Sequence, residues 1–172
     1  MSKDIRIKKG LDIRLVGEAE KTISEAPRSR TITIRPSDFH LITPKMVVKE
    51  GATLQAGDVI FYSKSQEEIK FVSPVAGTIT EIKRGARRVI TDIVIEADYA
   101  GATRDLGALG ASASAEAVKA RLLEGGVWPF IKQRPYDVVA NPTVTPKAIF
   151  ISGLNTGPLA ADLDFVLAGK EA

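Results

Sequence analysis

Apolar and polar residues alternate with a period of two in several short stretches of the first hundred positions. Such alternation is typical of half-buried β-strands, whose successive side chains point to opposite faces of a sheet. Glycine and proline residues separate the stretches at the spacing of tight turns. The predicted strands are Ile5–Ile7, Arg30–Ile34, Met46–Val48, Val59–Tyr62, Ile69–Val72, Thr78–Ile82 and Val89–Ile95. This pattern predicts a compact β-sandwich or a hybrid between a barrel and a sandwich.

The pattern changes after Tyr99. Residues 100–113 are small and glycine-rich and predict a connector. Ser114–Glu124 is predicted to be a helix, because Ser114 is a favoured N-cap and the apolar residues that follow lie on one helical face. Ala148–Ile151 is a continuous apolar run and predicts a buried parallel strand. The segment Leu159–Leu167 then has the pattern of a second helix.

These elements divide the chain into two predicted domains and give an overall α+β class. Residues 1–99 form the β-domain, and residues 100–172 hold the connector, the helix and the start of an α/β, Rossmann-like domain. A parallel strand needs a neighbouring strand. Because none follows the apolar run before Ala172, we expect the chain to be a fragment of a longer protein.

The segment Gly51–Ile82 resembles the two halves of a biotinyl/lipoyl-like β-domain, also called a barrel-sandwich hybrid. Carriers of that family present a modified lysine at a hairpin tip, flanked by methionines in the biotin version. The tip here is predicted at residues 63–68, where Lys64 has no neighbouring Met and the aligned position falls near Gln66. The scaffold therefore resembles a carrier without its attachment chemistry. A carrier domain modified at Lys64 is the alternative.

The composition excludes several kinds of site. The chain has 172 residues, no Cys and one His, His40. Disulfides, thiolate metal sites, iron–sulfur clusters and Cys nucleophiles are excluded, and so is a zinc site built from several His residues. No apolar run approaches the ~20 residues of a membrane-spanning helix, and the first residues lack an apolar signal region. We therefore expect a cytoplasmic chain.

No group of residues predicts a catalytic centre or a metal site. His40 follows Ser37 and Asp38 within one turn, a spacing that does not predict a catalytic triad for a hydrolase or transferase. Glu67 and Glu68 alternate faces on a strand and so cannot share one proton. A glycine-rich G-x-G-x-x-G phosphate loop is also missing from the sequence.

The positive charge is concentrated in the first half of the chain, most strongly at Lys83–Arg88. This segment is predicted to be a turn between two strands. Charged turns protect sheet edges from aggregation, and they also contact acidic partner surfaces. Arg84, Arg87 and Arg88 are therefore predicted to face solvent or a partner. Aromatic residues do not interleave with them, which argues against single-stranded nucleic acid.

Several segments together resemble the A subunit of the Na+-translocating NADH:quinone reductase. They are Lys8–Ile13, Gly85–Val89, Trp128-Pro129-Phe130 with Arg134-Pro135, and Ala148–Asp162. The resemblance implies a peripheral subunit on the cytoplasmic face of the bacterial inner membrane. The complex would oxidise NADH, reduce ubiquinone and export Na+, with NADH, flavins and iron–sulfur centres in other subunits and no cofactor bound by this chain. Asn155-Thr156-Gly157-Pro158 departs from the expected residue order, so no role is transferred to it.

The resemblance also implies quinone binding and docking to other subunits. A quinone headgroup needs an aromatic face and hydrogen-bond donors for its carbonyl oxygens. Trp128, Phe130, Gln133 and Arg134 supply these types within one short segment and are the candidate quinone residues. Alternatively, Trp128 and Phe130 pack the helix onto the sheet. For the whole chain, the alternative is an unmodified module of an Rnf-type electron-transport complex.

Overall fold

A computed structural model describes residues 10, 15–17, 20–152, 157 and 159–169. The chain forms two compact units, one of residues 28–145 and one built from the segments on either side of it. Three sequence features fall wholly or mainly outside the described residues. They are the predicted strand Ile5–Ile7, the motif Lys8–Ile13 and the motif Asn155-Thr156-Gly157-Pro158.

The unit of residues 28–145 is built from short antiparallel strands. They are β1 (Thr31–Ile34), β2 (Pro44–Met46), β3 (Thr53–Leu54), β4 (Val59–Ser63), β5 (Gln66–Val72), β6 (Gly77–Arg84), β7 (Ile90–Ala97), β8 (Lys132–Gln133) and β9 (Val138–Val139). One sheet has the order β1-β7-β6-β3 and another the order β2-β4-β5. Strands β8 and β9 form a separate hairpin.

The core of this unit combines apolar side chains from both larger sheets. Its fully buried large apolar members are Ile60, Phe61, Ile69, Ile79, Ile93 and Ile95, each with none of its surface exposed. Strand register explains part of the packing, since Ile79 lies opposite Ile95 and Ile82 lies opposite Ile93. Cross-strand pairs of β-branched residues stabilise a sheet. The predicted β-sandwich is confirmed.

Gly77 shows how closely two strands approach at the start of β6. Its φ is +156°, and a Cβ atom at this position would lie 2.1 Å from the carbonyl oxygen of Glu96. That separation is far inside van der Waals contact. Only glycine allows the chain to turn into β6 at this point.

The helix α1 (Ala115–Glu124) begins and ends where the sequence predicts. The Ser114 hydroxyl accepts a hydrogen bond from the backbone N–H of Ala117, which satisfies one free donor of the first turn. The helix ends at Gly125, and Gly126 follows with φ +69°. Within the described ranges, no helix is both long enough and apolar enough to span a bilayer.

The second unit contains the short helix α2 (Leu163–Leu167), which is shorter than the predicted segment Leu159–Leu167. Leu159 has φ +58°, outside the helical region, and the Asp162 carboxylate caps the helix by accepting from the N–H of Phe165. A hydrogen bond from Lys21 is the main cause of a lowered pKa at Asp162.

The predicted buried strand at Ala148–Ile151 is wrong. The segment has no regular secondary structure, and Ile149, Phe150 and Ile151 are 77%, 92% and 90% exposed. A strand requires a partner for its backbone hydrogen bonds. No strand pairs with this segment anywhere in the described part of the chain, so its apolar composition alone does not produce a strand.

Candidate functional site

A row of four phenylalanine rings leads from the core of the sandwich to its surface. Phe61 stacks on Phe71 with ring centroids 4.3 Å apart. Phe71 meets Phe39 edge-to-face at 4.7 Å, and Phe39 meets Phe130 edge-to-face at 5.8 Å. Phe61 is fully buried, whereas Phe130 is 71% exposed. The outer ring is therefore held by a rigid aromatic base and offers most of its surface to solvent.

Trp128 and Phe130 share one short 3-10 turn, yet they have different surroundings. The Trp128 indole N–H donates to the carbonyl oxygen of Ala140 at 2.7 Å, and its half-buried ring packs against the core. Pro129 between them is fully buried. The turn follows Gly126, where an added Cβ would lie 2.5 Å from a methyl group of Val72. Trp128 thus anchors the turn, and Phe130 projects from it.

The polar candidates lie on the β8–β9 hairpin directly after this turn. Gln133 is exposed, and its side-chain oxygen accepts a weak hydrogen bond from the N–H of Asn141 at 3.4 Å. Its NH2 group is the end of the amide that can donate to a ligand. Arg134 is exposed in the hairpin turn, close in sequence to the exposed ring of Tyr136. The 3-10 turn and the hairpin that follows it, residues 128–139, therefore present an aromatic face and polar donors on one short segment, referred to below as the aromatic hairpin.

Two contributors to this surface were missed by the sequence analysis. Phe39 supports Phe130, and the Lys132 ammonium lies 5.8 Å from the centre of the Phe39 ring, at the outer limit of a cation–π contact. Phe39 lies at the end of a 3-10 turn, Pro36–Asp38, in a distant part of the sequence. No local pattern connects the two segments, because the contact arises only when the sandwich has formed.

The predicted basic turn is present as the tip of the β6–β7 hairpin, referred to below as the basic tip, residues 83–89. It contains a 3-10 turn at Ala86–Arg88, and Arg84, Arg87 and Arg88 are all exposed. Lys83 lies 3.6 Å from the Glu81 carboxylate. Among the described residues, the three arginines have no carboxylate within ion-pair distance. The structure thus leaves three positive charges uncompensated at one point.

The charges further along β7 are compensated. Asp92 accepts a hydrogen bond from Arg35 at 3.0 Å. A hydrogen bond from Thr91, followed by the one from Arg35, holds the pKa of Asp92 below its usual value. At the other end of the strand, Glu96 pairs with Arg30 at 2.9 Å. Within the β6–β7 hairpin, the charged side chains without an ion-pair partner are therefore those of the basic tip.

The β4–β5 hairpin bears on the carrier alternative. Ser63 lies opposite Gln66, so the turn consists of Lys64 and Ser65, and Gln66 belongs to β5. Lys64 is exposed, and its backbone N–H donates to Thr43 at 2.8 Å. The lysine, and not the position aligned with the carrier lysine, therefore lies at the tip.

His40 is exposed after the Pro36–Asp38 turn.

An open groove lies on the four-stranded sheet. It is lined by residues of β3, β6 and the end of β7, among them Glu96, and by residues of the adjoining loops, among them Asp58 and Asp98. None of the predicted quinone or partner residues contributes to it. The described residues contain no cluster of His, Asp or Glu arranged to hold a metal ion. The candidate surfaces are therefore the aromatic hairpin and the basic tip.

Comparison with known proteins agrees with this architecture. The family model of the NqrA N-terminal barrel-sandwich hybrid domain matches residues 5–98, and that of the NqrA second alpha/beta domain matches residues 113–172. The chain belongs to the NqrA family. The barrel-sandwich fold and the following α/β region predicted from the sequence are confirmed by these two matches.

Curated NqrA relatives resemble nearly the whole chain. The A subunit of the Na(+)-translocating NADH-quinone reductase of Saccharophagus degradans is 35% identical over 98% of this chain. The proteins of the same name from Pseudomonas aeruginosa and Photorhabdus laumondii are each 34% identical, over 95% and 98% of it. The match covers 38% of each relative, so the chain spans well under half of their length.

Proposed function

We propose that this chain is part of the A subunit of a Na+-translocating NADH-quinone reductase, on the cytoplasmic face of the membrane. There it serves as a docking and quinone-contact module, and the NADH, flavin and iron–sulfur chemistry belongs to other subunits. The names of its NqrA relatives support the complex. Iron–sulfur clusters are held by Cys thiolates, and this sequence has no Cys. Its composition therefore supports the assignment of the iron–sulfur chemistry to other subunits.

One observation carries the docking role: the contrast between the interior and the outer turns of the sandwich. The core is filled by side chains such as Ile60, Phe61 and Ile95, none of which is exposed. Phe130 and the arginines of the basic tip instead face outward. Large aromatic residues and arginine are enriched where proteins contact partners. The proposed contacts with partner subunits therefore lie on the outer turns of the sandwich.

Quinone contact is proposed at Phe130, Gln133 and Arg134. The exposed Phe130 ring offers an apolar face, and its aromatic base fixes that face in place. Gln133 and Arg134 supply donors for the carbonyl oxygens of the headgroup. Trp128 supports the turn from behind, because its N–H is already bonded to Ala140.

The docking role is tested by co-purification of the full-length protein with the membrane-bound redox subunits. We expect the wild-type protein to remain in the complex after detergent extraction. The variant R84S/R87S/R88S should be lost from it while keeping the wild-type melting temperature. Retention of the variant at the wild-type level would contradict the role of the basic tip in docking.

Quinone contact is tested by fluorescence, because Trp128 is the single Trp of the chain and lies in the same turn as Phe130. A short-chain ubiquinone should quench its emission saturably. Phe130→Ala and Arg134→Ala should weaken the quenching. Phe150→Ala is the control, since Phe150 is an exposed residue of the same type outside this segment. Emission that ignores quinone, or an equal loss in the control, would place the quinone elsewhere.

A further inference from the structure

The basic tip is held in one conformation by its own backbone. The N–H of Gly85 donates to Val89 at 2.8 Å, and the N–H of Val89 donates to Ala86 at 3.2 Å. Arg87 and Arg88 both have left-handed φ angles, +54° and +60°. Such angles are uncommon for residues other than glycine and persist where the surrounding structure fixes them. The backbone that carries the arginine side chains is thus held in a defined conformation.

The charged groups of the tip are of one kind. Arg84, Arg87 and Arg88 are the uncompensated cations, because Lys83 lies beside Glu81. A guanidinium presents a planar fork of donors that matches a carboxylate with two parallel hydrogen bonds. Val89, beside them, is 57% exposed and adds an apolar contact. A small apolar centre with arginines around it is typical of a protein interface.

We propose that the basic tip binds an acidic segment of a partner polypeptide, with side-chain carboxylates paired to the guanidinium groups of Arg84, Arg87 and Arg88. The inference rests on the docking role proposed above and names the chemistry of the partner. A pre-organised tip loses little conformational entropy on binding, which favours a partner of defined shape.

A membrane surface fits these observations less well. Basic clusters that bind anionic lipids usually hold about four to eight Lys or Arg residues. The tip has four, at the lower limit of that range, and one of them, Lys83, lies beside the Glu81 carboxylate. The fixed backbone of the tip gives no advantage on a fluid layer of headgroups. Because carboxylates and lipid phosphates both attract arginine, the experiment must separate the two sources.

The experiment measures fluorescence anisotropy of a labelled oligoglutamate peptide titrated with the intact chain. We expect saturable binding that weakens with added salt, and no binding of an oligoglutamine peptide of the same length. R84Q/R87Q/R88Q should weaken binding by about tenfold, since exposed ion pairs are individually weak and three act together. K49Q/K64Q/K147Q removes the same charge at exposed lysines elsewhere and should leave affinity near wild type.

Two further measurements distinguish binding to peptide carboxylates from binding to lipid phosphates. R84K/R87K/R88K keeps the charge and loses the fork, so it should bind the peptide more weakly than the wild type. Vesicles of phosphatidylglycerol and phosphatidylcholine in equal parts should not compete with the peptide. Equal loss in the two glutamine variants, full binding by the lysine variant, or stronger binding to vesicles would each overturn the proposal. If the peptide fails to bind although the full-length protein co-purifies with the redox subunits, this inference fails and the docking role stands.

Discussion

Two apolar regions of this chain have similar residues, but one is buried in a sheet and the other is exposed to solvent. Ile79 and Ile95 lie opposite each other in a sheet and are fully buried. Ile149 and Ile151 belong to an equally apolar run but are 77% and 90% exposed, without regular secondary structure. The difference is the presence of neighbouring strands and of a second sheet that covers the side chains. Hydrophobic composition therefore produces a strand here only where the backbone finds a partner.

The largest expected effect is on the sandwich core. Phe61→Ala removes a fully buried ring that stacks on Phe71, and should lower the free energy of unfolding by about 3–5 kcal/mol. Phe150→Ala is the matched control in the exposed run. Because Phe150 is 92% exposed, it should change stability by less than about 0.5 kcal/mol. Urea denaturation followed by circular dichroism measures the free energy of unfolding of both variants. A similar loss in the two would contradict the difference between the buried and the exposed region.

The next effect concerns the glycine that lets α1 pass into the aromatic turn. Gly126→Ala forces a side chain into a left-handed conformation and against Val72, so we expect a loss of about 2 kcal/mol or more. Gly110→Ala is the control, because no atom lies within 4 Å of an added Cβ there. Thermal melting should separate the two variants clearly. Equal melting temperatures would show that the contact with Val72 relaxes freely.

A smaller effect is expected at the start of α1. Ser114→Ala removes the capping hydroxyl and should cost about 1 kcal/mol, whereas Ser112→Ala, just before the helix, should cost almost nothing. A backbone hydrogen bond at Glu116, followed by one from Ser114, lowers the pKa of Glu116. The variant should therefore raise that pKa, as followed by NMR titration. An unchanged pKa would show that the hydroxyl does not reach the Glu116 carboxylate.

The smallest effect is electrostatic and concerns Asp92 on β7. Its pKa is lowered in the folded state, so Asp92 stabilises the fold above its unfolded pKa. That contribution is lost as the pH falls from the unfolded pKa through the lowered folded pKa. Asp92→Asn should therefore flatten the decline of stability in acid, and Arg35→Gln should flatten it partly. An acid profile in both variants identical to that of the wild type would contradict this account.

Local pattern predicts most of the sandwich. The strands β1 and β5–β7 follow from alternation, because one face of each lies against the core. Strand β4 follows instead from a continuous apolar run, since the adjacent residues Ile60 and Phe61 are both buried. The basic turn follows from Gly85 and its charged neighbours between two such strands. The helix α1 follows from Ser114 and the glycines after it. In each case the information lies within a few residues of the element.

What the sequence does not reveal depends on distant contacts. Phe39 meets Phe130 only after the sheets have packed, so the support of the aromatic hairpin has no local signal. The bond from Trp128 to Ala140 is likewise set by the β8–β9 hairpin. The apolar run at Ala148–Ile151 misleads for the same reason, since a strand is defined by its partner. Strand β2 begins and ends two residues earlier than predicted because it pairs with β4 from Pro44 to Met46.

The most direct test of the account is hydrogen exchange of the full-length protein, free and assembled with the membrane redox subunits. We predict that assembly slows exchange at the basic tip, residues 83–89, and around Phe130 to Tyr136. Strands β4 to β7 should already exchange slowly in the free protein, because their hydrogen bonds lie over the buried core. Protection confined to other regions, with both outer turns unchanged on assembly, would contradict the claim that these turns form the contact surfaces.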